Sequence, residues 1–114
     1  MTLDSFRAHC LSFDGVTESF PFGGDALVFK VYGKMFALCD ADLFESINLK
    51  WPPEVNIERR EEYPETVSPG YHMSKVHWST VQMDGAVQDR VLKEWIRESY
   101  DIVLASIPVK KRVL

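Results

Sequence analysis

The chain has 114 residues, 46% of them hydrophobic and 26% charged, with a formal net charge of −4. That length and composition fit one globular domain able to bury roughly two-thirds of its unfolded surface; they exclude a disordered chain and one that must lean on disulfides or metal to fold. The acidic balance counts against generic nucleic-acid binding, which rests on cations neutralising phosphates.

From the first residue, Thr2 is placed to cap a helix with Asp4 in its first turn. Leu3, Phe6, Cys10 and Phe13 recur at helical spacing and give that helix one apolar face, and Asp14-Gly15 ends it. An aromatic, glycine-rich loop or edge segment follows over residues 16–24. Ala26 to Val31 and Lys34 to Cys39 flank Tyr32-Gly33, the pattern of a tight hairpin. Its alternation puts Leu27, Phe29 and Val31 on one face and Val28, Lys30 and Tyr32 on the other. Ser46 to Lys50 alternates likewise and reads as a third strand.

Trp51-Pro52-Pro53 breaks that strand, and Pro53 suits the first turn of a helix over residues 54–63, closed by Pro64. Pro69-Gly70 reads as a turn, and a strand is expected near residues 78–83. Asp84-Gly85 is the next turn, with Asp84 also able to cap. Val87, Val91, Leu92, Trp95, Ile96, Ile102 and Val103 form the broad apolar stripe of a last helix, which Pro108 stops. The reading is a single α+β domain over residues 1–114: an antiparallel β-sheet with helices packed on one face.

Cys10 and Cys39 sit in apolar patterns and are expected to be buried free thiols, which fits a reducing compartment. The first residues lack a basic, apolar leader, and no apolar run approaches the ~20 residues that span a bilayer. A cytoplasmic monomer with no cofactor is the expectation. Charge is segregated: five Glu lie between Glu54 and Glu65, whereas residues 66–83 carry Lys75 as their one full charge, with two histidines. The tail ends Lys110-Lys111-Arg112.

The stretch from Pro69 to Val81 is the strongest candidate for a binding surface, because it gathers Tyr71, His72, Lys75, His77 and Trp78 with no carboxylate. With Lys30, Lys34 and Lys50 these residues could contact phosphates and stack on bases, the Tyr32-Gly33 hairpin acting as a wing. The plainer reading makes the lysines a solvated sheet face and Trp78 core. His72 and His77 as a metal pair fail on spacing, since residues five apart in an extended segment point to opposite faces. Two histidines are also too few for a closed zinc site. Glu58, Glu61, Glu62 and Glu65 read as a solvated helix face, interleaved with Arg59 and Arg60 in stabilising pairs. No nucleophile–base arrangement, phosphate loop or dinucleotide fingerprint is present, so no catalytic residue is assigned and an enzyme is not expected.

Phe20-Pro21-Phe22-Gly23, Val28-Phe29-Lys30-Val31, Gly33-Lys34-Met35-Phe36-Ala37-Leu38, Asn48-Leu49-Lys50, Pro69-Gly70-Tyr71-His72-Met73 with Lys75 and His77-Trp78, and Ser99-Tyr100-Asp101 occur in this order along nearly the whole chain. Together they resemble the MmcQ/YjbR-like family. The resemblance implies a small bacterial domain similar to the frataxin (CyaY-like) fold, also described as a double-wing motif. The family is commonly labelled DNA-binding, by analogy of fold. Members commonly carry Cys-Asp-Pro where this chain has Trp51-Pro52-Pro53, which lowers any thiol or redox role there. Two functions follow: a DNA-binding module built on the wing and the Lys/His/aromatic surface, or a module that holds a small anionic or aromatic ligand, or a partner protein, on the Pro69 to Val81 surface.

Overall fold

The computed structural model describes residues 1–70 and 73–113. Among these residues three α-helices, α1 (Leu3–Leu11), α2 (Pro53–Glu62) and α3 (Asp89–Ala105), are interspersed with six strands: β1 (Val16–Ser19), β2 (Ala26–Val31), β3 (Lys34–Asp40), β4 (Ser46–Lys50), β5 (Val67–Pro69) and β6 (Trp78–Gln82). The strands form one sheet in the order β1-β2-β3-β4-β6-β5, antiparallel throughout. The α+β architecture is the expected one. Two short edge strands, β1 and β5, complete a sheet whose inner strands the alternation had marked.

The Thr2 cap forms: Ser5 N donates to Thr2 Oγ1 at 3.1 Å while Thr2 N donates to Ser5 Oγ at 2.9 Å. α1 then buries Phe6 and Cys10 completely. Between β2 and β3, Tyr32 and Gly33 both take positive φ (46° and 87°), the left-handed pair that matches strand twist in a two-residue hairpin. A bulge follows Phe29, which pairs with Ala37 while Lys30 pairs with Met35. The extra β3 residue, Phe36, is buried with Ala37, so this strand puts two consecutive side chains into the core.

All three helices lie on one side of the sheet. Phe6 meets the edge of the Phe29 ring at 5.3 Å between centroids, and Tyr100 of α3 meets Phe36 at 5.5 Å. Leu27, Ile47, Leu49, Val67 and Val81 share that core with Leu92, Trp95, Ile96 and Val103. Ser99 ties α3 to the sheet, donating to Phe36 O at 2.6 Å and accepting from Lys50 N at 2.9 Å.

Four local expectations change. Trp51 does more than end β4: it is fully buried and its Nε1 donates to Trp95 O at 3.1 Å. Arg59 and Arg60 make no pairs within α2 among the described residues. Arg59 instead lays its guanidinium 4.5 Å and 4.7 Å from the Trp51 and Trp95 rings and reaches Glu98 of α3 at 2.6 Å. Pro69 ends the edge strand β5, where a missing N–H is tolerated, and Gly70 lies against Trp78. Asp84 caps no helix; it accepts from Ala86 N and Thr66 Oγ1, both at 2.9 Å, whereas α3 starts at Asp89.

Candidate functional site

The second face of the sheet carries no helix among the described residues. Strand register lines up Val28, Leu38, Asn48, Thr80 and Ser68 across its middle. Val28 and Trp78 are buried there yet stand outside the main core. A groove of about 510 Å³ opens on this face. Its floor is Ala26, Leu38, Asn48 and Thr80; Phe22 and Asp25 wall one side and Met73 another, with Met35, Asp40 and Ser46 at its margins. The volume lies within the range of small-molecule sites, about 300–1,000 Å³.

Polar groups in the groove are few and held in place. Thr80 Oγ1 donates to Asn48 Oδ1 at 2.6 Å. Among the described residues the Asn48 amide NH₂ has no partner, so it offers donors to a ligand. The Asp40 carboxylate accepts from the backbone N–H groups of Asp42 (3.0 Å) and Leu43 (3.3 Å). Cys39, beneath this margin, is a free thiol that burial pushes up to about 12, with Asp40 adding to the effect, which favours the protonated thiol over the nucleophilic thiolate near neutral pH.

The turn between Met73 and β6 is hung from α2. Asn56, fully buried, donates to the carbonyls of Trp51 (2.9 Å), Pro52 (3.2 Å) and Val76 (3.0 Å) and accepts from Ser79 Oγ at 2.6 Å. Arg60 donates to Lys75 O (2.6 Å), Trp78 O (2.8 Å) and Ser79 Oγ (3.1 Å). An α2 read from sequence as a solvated acidic face therefore has an inner edge that fixes residues 75–79. On the far side of the sheet edge a smaller cavity of about 340 Å³ is lined by Leu3, Phe20, Arg7 and Glu18. Its two charges satisfy each other: Arg7 Nε donates to Glu18 Oε2 at 2.9 Å, and that bond holds the Glu18 carboxyl below its usual range.

The residues singled out from sequence divide. Lys30 and Lys50 lie on the helix-free face, half-buried, and Lys50 pairs across the sheet with Trp78. Lys34, at the hairpin, turns toward the helical layer, its Nζ 3.5 Å from Ser106 Oγ. Lys75 and His77 are exposed on the turn before β6. Trp78 is a correction: at 8% exposed it is no stacking platform, because Gly70 packs on it closely enough that a Cβ there would sit 2.9 Å from Trp78 Cβ. Tyr71 and His72 lie outside the described residues. Of the Pro69 to Val81 stretch, Met73 and Thr80 line the groove.

Sequence reasoning missed Phe22, Asp25, Leu38, Asp40 and Asn48. The available signal was the second face of the hairpin, where Val28, Met35 and Leu38 are more apolar than a freely solvated face requires. The segregation of charge also takes a different axis from the expected one. The loops at one end of the sheet, with the strand residues beside them (20–26, 40–46 and 82–88), hold Asp25, Asp40, Asp42, Glu45 and Asp84 and contain no Lys, Arg or His. Lys30, Lys34, Lys50, Lys75 and His77 lie at the opposite end, and the Ser106 contact brings the segment leading to Lys110-Lys111-Arg112 to that same end.

Comparison with known proteins agrees with this architecture. The model of the YjbR family matches residues 11–102. The uncharacterised protein YbdF of Escherichia coli O157:H7 is 36% identical over 86 residues, covering 74% of this chain and 69% of YbdF. The uncharacterised protein YjbR of Escherichia coli K12 is 29% identical over 115 residues, covering 100% of this chain and 97% of its own. Among solved structures, Deinococcus radiodurans protein DR2400 superposes with a TM-score of 0.92 at 37% identity, over 97% of this chain and 85% of that one. A Pseudomonas syringae protein shares the fold, with a TM-score of 0.71 at 24% identity over 90% of this chain and 98% of its own.

Proposed function

The chain belongs to the YjbR family, and we propose that within this fold it works as a binding module, not a catalyst, with the groove on the helix-free sheet face as its recognition surface. The observation that carries this reading is the groove itself: about 510 Å³, largely apolar, with the Asn48 amide as a donor in its floor. Its chemistry fits binding better than catalysis. Thr80 donates to an amide instead of a base, burial keeps the Cys39 thiol protonated, and Asp40 holds backbone N–H groups. Titrating the ¹⁵N-labelled protein with a neutral apolar probe such as tryptophol tests it. Amide shifts confined to residues around Leu38, Asn48 and Thr80, and abolished by Leu38→Arg, are expected. Shifts scattered over the molecule, or none at millimolar probe, would end this reading.

A second reading, DNA binding, is favoured by the gathering of Lys30, Lys34, Lys50 and Lys75 at one end of the sheet. The hairpin there is not a free wing. β2 is paired to β1 and β3 to β4, so its tip stands inside a six-stranded sheet too broad for a groove about 12 Å wide. Contact would be with phosphates, without readout of bases. Fluorescence anisotropy with short duplex and single-stranded DNA at low salt tests it: no binding, or binding indifferent to Lys30→Glu and Lys75→Glu, removes it.

A further inference from the structure

Resting on that groove, we propose that its ligands are small organic cations, with a flat or alkyl body over Leu38 and Met73 and an ammonium group at the Asp25 and Asp40 end. Three observations carry this. The groove lining contains two carboxylates and no Lys, Arg or His among the described residues, so its fixed charge attracts a cation and opposes an anion. The loops at the same end of the sheet add Asp42, Glu45 and Asp84, and residues 20–26, 40–46 and 82–88 hold no Lys, Arg or His. The geometry is also set in advance. Ala26 pairs with Asp40 and Asp25 O accepts from Ala41 N at 2.8 Å, so both aspartates reach the groove lining, and the two N–H groups held by Asp40 fix its carboxylate while leaving lone pairs for a third donor. Phe22, exposed next to these carboxylates, supplies a ring face for the same cation.

Lys30 and Lys50 sit on this face but at its other end, outside the lining. They leave the acidic end open and would repel an ammonium placed the wrong way round. The groove is thus polarised along the strands, and a ligand with an apolar body and one terminal cation has a single favoured orientation.

Three probes that share an indole and differ in the end group separate charge from shape: tryptamine, tryptophol and indole-3-propionate, titrated by NMR at low and moderate salt. Tryptamine is expected to bind at least about fivefold more tightly than tryptophol, with indole-3-propionate weakest and the preference shrinking as salt rises. Asp25→Asn, at an exposed position where folding is not at stake, should remove most of that preference; Asp40→Asn should remove more, but also loosens the turn at Asp42. Equal binding of all three probes at Leu38, Asn48 and Thr80 would overturn the cation inference and leave the groove reading standing. No binding by any probe would overturn both. Tightest binding by indole-3-propionate, or response to a lysine-rich helical peptide without response to tryptamine, would overturn the small-cation assignment.

Discussion

The two faces of this sheet are built from the same strands and end in different physics. On the helical face the inward residues of β2, β3 and β4 include Leu27, Phe29, Val31, Phe36, Ala37, Cys39, Ile47 and Leu49, at most 2% exposed. On the other face the alternate residues include Val28 and Leu38, but also Lys30, Asn48 and Lys50, and the same row of the sheet is left partly open as a groove. A face closed by α1 and α3 gains from every apolar atom it removes from water. A face without helices keeps apolar surface that something else can cover. The difference separates residues selected for packing from residues free to serve recognition.

The comparison is broken most directly by truncation. Phe29→Ala removes a ring held edge-on by Phe6 in a close-packed core, and a loss of about 3–5 kcal/mol is expected from urea unfolding. Leu38→Ala, half-buried on the open face, should cost about 1 kcal/mol or less. Equal costs would mean that the two faces do not differ as described. Next in size is Asn56→Ala, which leaves three carbonyls and the Ser79 hydroxyl without their buried partner. About 2 kcal/mol or more is expected, together with faster hydrogen exchange over residues 75–79 as the turn into β6 loosens.

The pH dependence sharpens the contrast from both sides. Cys39 and Cys10 are raised by burial on the core side. A thiol raised in the folded state contributes stability that is whole below its unfolded pKa, about 8.5, and is lost as pH climbs toward the folded value, for Cys39 about 12. Unfolding free energy should therefore fall between about pH 8.5 and 11, and fall less in Cys39→Ala. Glu18 is lowered by its bond from Arg7, and Asp84 by bonds from Ala86 N and Thr66 Oγ1. Their contribution is present above about pH 4 and is lost as pH drops through their lowered values, so Arg7→Met should flatten the acid limb of the stability curve. The smallest effect belongs to Arg97, whose exposed pair with Asp101 four residues on should be worth about 0.3–0.5 kcal/mol at low salt and vanish at high salt.

Much of the fold was legible in the chain because its signals are local. The Thr2 cap, the Tyr32-Gly33 turn, the alternation of β2 to β4 and the stripe of α3 each depend on neighbours a few residues away, and each formed. The candidate site was less legible, since its residues are gathered by pairings that no local window contains. Asp25 and Asp40 reach one groove through the pairing of β2 with β3, and Asn48 meets Thr80 through β4 with β6. Arg59 and Arg60 show the same limit: their spacing to nearby glutamates favoured pairs within the helix, but the tertiary fold puts Arg59 against two tryptophan rings and gives Arg60 the carbonyls of Lys75 and Trp78.

By itself the sequence determined the three α-helices, the inner strands, the family and the location of the core, because hydrophobic period and turn chemistry act at short range. Only the tertiary structure decided which face of the sheet stays open, that Trp78 is buried against Gly70, and that charge separates along the strands between two ends of the sheet. Those outcomes depend on which strands pair, and pairing brings together side chains far apart in the chain whose joint field and shape have no signature in any one segment.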